Sequence, residues 1–178
     1  PQSACYAQVF LIKDSAGYLS AIDTFILNGD TGNCYGNYYF PNLPAGTYYT
    51  KAALLPADPG YADYLPTYSV QELNWADATA VSLNIGYGNA DINLIPGTNP
   101  GGPGFVEGWV TQGAGLGVGG GADESRGAGD PMAGIQINLL NNAGAPVAYT
   151  YSDATGHFSF GSLALGTYSI YAEVINKV

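Results

Sequence analysis

Few residues of this chain have side chains able to do chemistry, and their spacing gathers none of them into a catalytic set. The only histidine is His157. A general base needs an orienting partner and a nucleophile within hydrogen-bond reach. No neighbour in sequence supplies either, and alternation against Phe158 and Phe160 turns His157 toward solvent. Two cysteines, Cys5 and Cys34, with one histidine are too few for a zinc or iron–sulfur centre. Asp58, Asp63, Glu72 and Asp77 stand among Tyr61, Tyr64, Tyr68 and Trp75. Paired carboxylates serve glycoside cleavage, and aromatic rings with acids also suit a sugar-stacking platform or a plain covering loop. Asp123, Glu124, Arg126 and Asp130 lie in a glycine-rich loop from Gln112 to Asp130. That loop lacks the ligand spacing of a calcium site, and no Lys or helix start follows its glycines as in a phosphate cradle. It reads as a solvated loop. The expectation is a non-enzymatic chain with no metal and no cofactor.

Composition narrows the partners. Charged residues are 10% of the chain, against roughly 25% in ordinary soluble domains. Four Lys and Arg face 14 acids, a net charge of -10, which argues against nucleic acid or an anionic membrane as partner. No apolar run approaches the roughly 20 residues of a membrane span. A start at Pro1 with no Met reads as a processed product whose signal was removed. With 26 Gly, 15 Tyr and 47% hydrophobic residues, the chain reads as turn-rich, all-β and extracellular.

The elements that must position these residues follow from period-two alternation. Strands are expected at 5–12, 20–27, 34–40, 46–56, 79–85 and 90–95, then at 105–111, 133–140, 147–153, 156–161 and 166–175. No segment keeps a 3.6-residue period, so helix content should be low. Cys5 shares a strand face with Ala7, Val9 and Leu11, and Cys34 with Gly36, Tyr38 and Phe40. Inward parity of both favours a disulfide over two buried free thiols. Such a bridge closes a loop worth about 3.5 kcal/mol in the chain-entropy model, and it implies an oxidising compartment.

One stretch occurs twice. Gly36-Asn37-Tyr38-Tyr39-Phe40-Pro41-Asn42-Leu43-Pro44-Ala45-Gly46-Thr47-Tyr48 returns in register as Gly156-His157-Phe158-Ser159-Phe160-Gly161-Ser162-Leu163-Ala164-Leu165-Gly166-Thr167-Tyr168. Such an internal repeat marks two units. The expected division is a disulfide-bearing β-sandwich at 1–96, a Pro/Gly linker at 97–104, and a second sandwich at 105–178. Aligned outward, the first unit lacks an opening strand like 105–111. The second lacks closing strands like 79–85 and 90–95. Natural proteins seldom leave such edges uncovered. Either the parent chain continues past Val178, or another chain supplies the strand.

The run Phe105-Val106-Glu107-Gly108-Trp109-Val110, then Gly134 to Leu139, Tyr149 to Phe160, Leu163 and Gly166-Thr167-Tyr168, resembles the carboxypeptidase regulatory-like domain, a prealbumin-like β-sandwich. The likeness covers most of 105–178, and a weaker copy covers about 5–95. It implies two tandem prealbumin-like or Ig-like sandwiches acting as non-catalytic stalk, spacer or adhesion modules. The Tyr-rich, Lys-poor style resembles repeat modules of bacterial surface proteins exported by the type IX route. That likeness implies O-glycans at Asp-Ser/Thr-X tripeptides, with Ser15, Thr24 and Thr31 as candidates. The resulting expectation is a structural subunit of an extracellular filament or cell-surface stalk. It would assemble head-to-tail with itself as a homopolymer, by β-strand addition. The alternative is a carbohydrate-binding or adhesion module using Tyr61, Tyr64, Tyr68 and Trp75.

Overall fold

Alternating side chains fold this chain into strands, and hydrophobic pairing across them decides the register. A computed structural model describes residues 5–15, 18–29, 36–84, 87–113 and 127–177. The described chain is all-β, save for one 3-10 turn at Trp75–Asp77. It divides into two compact units, Pro1–Gly97 with Ile175–Val178, and Thr98–Val174.

In the first unit, β1 (Tyr6–Ser15) is central. It pairs antiparallel with β2 (Tyr18–Asn28) on one side and β3 (Gly46–Leu54) on the other. Ala7, Val9 and Leu11 are buried on one face of β1, and Ile12 on the other. A bulge at Leu11/Ile12 opposes Leu11 to Asp23 and Ile12 to Ala21, leaving Ile22 as the extra residue. The bulge moves Leu19 and Ala21 onto the face of Ile12, where they pack with Tyr68 and Trp75.

Short pieces complete this unit. β4 (Tyr64–Leu65), β5 (Thr67–Tyr68), β6 (Val81–Leu83) and β7 (Ile95–Pro96) follow in order. β5 and β6 both line the outer edge of β3, and β4 pairs with β7.

The second unit holds two small sheets. β8 (Gly104–Trp109) pairs with β11 (His157–Leu163). β9 (Gln136–Asn141) lies between β10 (Pro146–Tyr151) and β12 (Tyr168–Glu173). Ile137, Leu139 and Val147 from one sheet meet Phe158, Phe160 and Leu163 from the other in a single core. The Pro/Gly stretch before β8 packs on this unit. A side chain at Gly102 would meet the Leu163 carbonyl at 2.5 Å, so only glycine allows that approach. After β12 the chain returns to the first unit. β13 (Asn176–Lys177) pairs parallel to β2 at Ser20–Ala21, and Ile175 packs on the core of Ile12, Leu19 and Tyr68.

Two expected strands do not form as ladders. Of the strands expected at 34–40 and 90–95, residues 36–40 and 90–94 carry no strand pairing, although both expectations rested on alternation, and 34–35 lie outside the described residues. The Tyr38 hydroxyl instead donates to the Ala90 carbonyl, and its oxygen lies 3.3 Å from Thr50 Oγ1. Phe25 packs on Tyr39 and Phe40. Ring contacts, the Tyr38 hydroxyl and one backbone bond, from the Val70 N–H to the Asp91 carbonyl at 3.2 Å, tie these segments down.

Candidate functional site

The duplicated stretch repeats its physics as well as its letters. Tyr48 donates its hydroxyl to the Pro44 carbonyl at 2.8 Å, and Tyr168 donates its own to Ala164 at 2.7 Å. In both copies the ring ties the new strand to the turn four residues upstream, as in a tyrosine corner. Asn42 and Ser162, which occupy matching places in the repeat, both adopt positive φ, 58° and 53°. Few non-glycine residues take that conformation, so its presence in both copies marks one shared turn.

Matching the units through this turn exposes what each leaves out. In unit 2, β11 follows Gly156 and is paired to β8. In unit 1 the matching segment 36–40 has no strand beside it among the described residues. Conversely, β3 follows Gly46-Thr47-Tyr48 and is lined by β5 and β6. Among the described residues its counterpart β12 pairs with β9 alone and ends the sheet. The vacancy at β12 reaches the core. Ile170 sits opposite Leu139, and Ala172 opposite Ile137. Opposed residues share a face. Leu139 and Ile137 are 0% exposed, whereas Ile170 is 45% exposed. An isoleucine on a core face in water is what a missing neighbour leaves.

The singled-out carboxylates do different work. Asp58 is buried, and its Oδ2 accepts the backbone N–H groups of Cys5 and Tyr6 at 2.9 and 3.1 Å. Its Oδ1 accepts the Gly60 N–H at 2.9 Å. Burial would raise its pKa, but the donors from Tyr6, Gly60 and Cys5 outweigh that and hold it below the usual carboxylate value. It clamps the start of β1. Asp153 is likewise lowered, first by the Thr155 side chain and backbone, then by the His157 N–H and charge. Its Oδ1 shapes the turn into β11. Asp63 and Asp77 are exposed, and Glu72 is half-buried. Among the described residues no three His, Cys, Asp or Glu groups gather as a metal site.

The aromatic set named from sequence is largely drawn inward. Tyr68 is 0% exposed, under the Lys51 ammonium at 4.9 Å from its ring centre. Tyr61, Tyr64 and Trp75 are half-buried, and Trp75 packs on the core. His157 does acquire a partner that sequence spacing did not offer. Its Nε2 lies 3.5 Å from Glu107 Oε2, and its ring packs against Trp109 with centroids 4.9 Å apart and planes tilted 55°. The cross-strand pairing of His157 with Trp109 creates this group. Its sequence signal was the alternation of Phe105, Glu107 and Trp109 along β8.

Ser15 and Thr24 are both exposed, at the end of β1 and within β2, and the Thr24 N–H donates to Asp23 Oδ1 at 2.7 Å. Thr31, Cys34, Asp123, Glu124 and Arg126 lie outside the described residues. No free cysteine stands among the described residues. No described helix is long and apolar enough to cross a membrane. No family model, curated protein or solved structure matches this chain.

Proposed function

We propose that this chain is a non-catalytic structural subunit of an extracellular filament or surface stalk, joined head-to-tail by strands passed between copies. Its two units are read as tandem prealbumin-like sandwiches of the carboxypeptidase regulatory-like kind, braced by a Cys5–Cys34 disulfide. Ser15, Thr24 and Thr31 are the proposed O-glycan sites.

The observation that carries this reading is the half-exposed Ile170 on the core face of β12, opposite the fully buried Leu139. A strand laid along β12 would satisfy a row of backbone groups and cover that isoleucine at once. The strandless segment 36–40 supports a second joining place of the same kind, since its repeat partner β11 has β8 beside it. Two different vacancies on one chain make a heterologous contact, and heterologous contacts that do not close propagate into fibres.

Negative-stain microscopy and sedimentation of the purified chain test the reading. Filaments, or a concentration-dependent ladder of oligomers, are expected. A single monomeric species at millimolar concentration would overturn it.

A further inference from the structure

The outer face of β8 sets two strongly exposed rings on one strand. Phe105, Glu107 and Trp109 alternate along one face of the strand, with Phe105 72% and Trp109 63% exposed. On the neighbouring β11, Ser159 lies opposite Glu107 and His157 opposite Trp109. The imidazole packs against the indole with the ring planes tilted 55°, and lies 3.5 Å from the Glu107 carboxylate. The opposite face of this ladder carries Phe158 and Phe160 into the core. The strip is therefore held by a paired, core-backed sheet, and its rings are not needed for packing.

We infer that this strip binds neutral oligosaccharide. Exposed flat rings present an apolar surface at low entropic cost, and a pyranose offers a matching apolar face of C–H groups. The interleaved polar groups are a carboxylate that accepts, an imidazole, and a hydroxyl that does both. That set answers sugar hydroxyls, as a lone apolar patch would not. Charge selects among saccharides. Glu107 is the strip's only carboxylate, and the chain carries -10, so uronate or sulfate polymers are repelled. Phe105 and Trp109 are four strand positions apart, about 14 Å at ~3.4 Å per residue, which suits a short run of sugar units over a single one. This inference does not rest on filament assembly, since it uses a sheet face and not a sheet edge.

Affinity electrophoresis of the full chain through gels containing hydroxyethyl cellulose, galactomannan, xylan or a polyuronate tests it. Retardation is expected in at least one neutral gel and none in the polyuronate gel. Trp109→Ala should abolish it, Trp109→Phe should retain part, and Phe105→Ala and Glu107→Gln should each weaken binding about tenfold. Tyr87→Ala, which removes an exposed ring of the first unit, should leave it unchanged. Calorimetry with the hexasaccharide of the retarding polymer supplies the affinities, and thermal melting checks that each variant is folded. Absence of retardation in all three neutral gels overturns the inference. So does retardation that survives Trp109→Ala, or self-association lost in Trp109→Ala without any sugar effect, which would assign the strip to a second copy.

Discussion

At the scale of single residues, Tyr48 and Tyr168 give the repeated Gly-Thr-Tyr its meaning. Each hydroxyl satisfies a carbonyl four residues back, so the tyrosine encodes a turn as well as a core ring. Tyr48→Phe and Tyr168→Phe should each lower stability by about 1 kcal/mol, the net worth of one such bond, read as a shift in urea midpoint. Asp58 makes a second residue-level prediction. Its folded pKa is depressed by backbone donors, so its contribution is complete above the ordinary carboxylate value of about 3.9. That contribution is lost as pH falls through the lowered folded value. Asp58→Ala should cost about 2–3 kcal/mol at neutral pH, for loss of charge-assisted bonds to buried donors. The gap between wild type and variant should close in strong acid. A gap that is constant down to pH 2 would show the carboxylate charge to be irrelevant.

At the scale of elements, the decisive feature is an edge. β3 and β12 grow from the same turn, yet among the described residues only β3 has strands along its outer side. Ile170→Asp places a charge on the uncovered core face of β12, where the free monomer already tolerates water. The monomer should lose no more than about 1 kcal/mol, as for surface changes, while assembly should be lost by sedimentation. Unfolding of the monomer instead would mean that Ile170 is part of its own core. Alternation announced strands at 34–40 and 90–95, but a ladder also needs a neighbour at hydrogen-bonding distance. Only Ile95–Pro96 finds one. Tyr38 keeps the inward parity expected of it, yet spends its hydroxyl across the gap on Ala90.

At the scale of the whole molecule, the proposed Cys5–Cys34 bridge would restrain the first unit alone. Mass spectrometry under non-reducing conditions should find the chain two hydrogens lighter than its reduced form, and Cys34→Ser should lower stability by about 3.5 kcal/mol. An unchanged mass on reduction would remove the bridge and with it the strongest sign of an oxidising compartment. Much of this molecule was legible in its letters, because periodicity and turn chemistry are local. The all-β class, the doubled turn, and the inward parity of Val9, Leu11, Ile137 and Leu139 all follow from spacing along the chain. Tertiary structure alone decided which strands gain neighbours, since pairing joins residues far apart in sequence. It drew Tyr68 and Trp75 toward the core, bound Asp58 to the start of β1, and returned Ile175 to the first unit. It also left Phe105 and Trp109 in water, because alternation assigns a residue to a face, and only the packing of the sheet decides whether that face is covered.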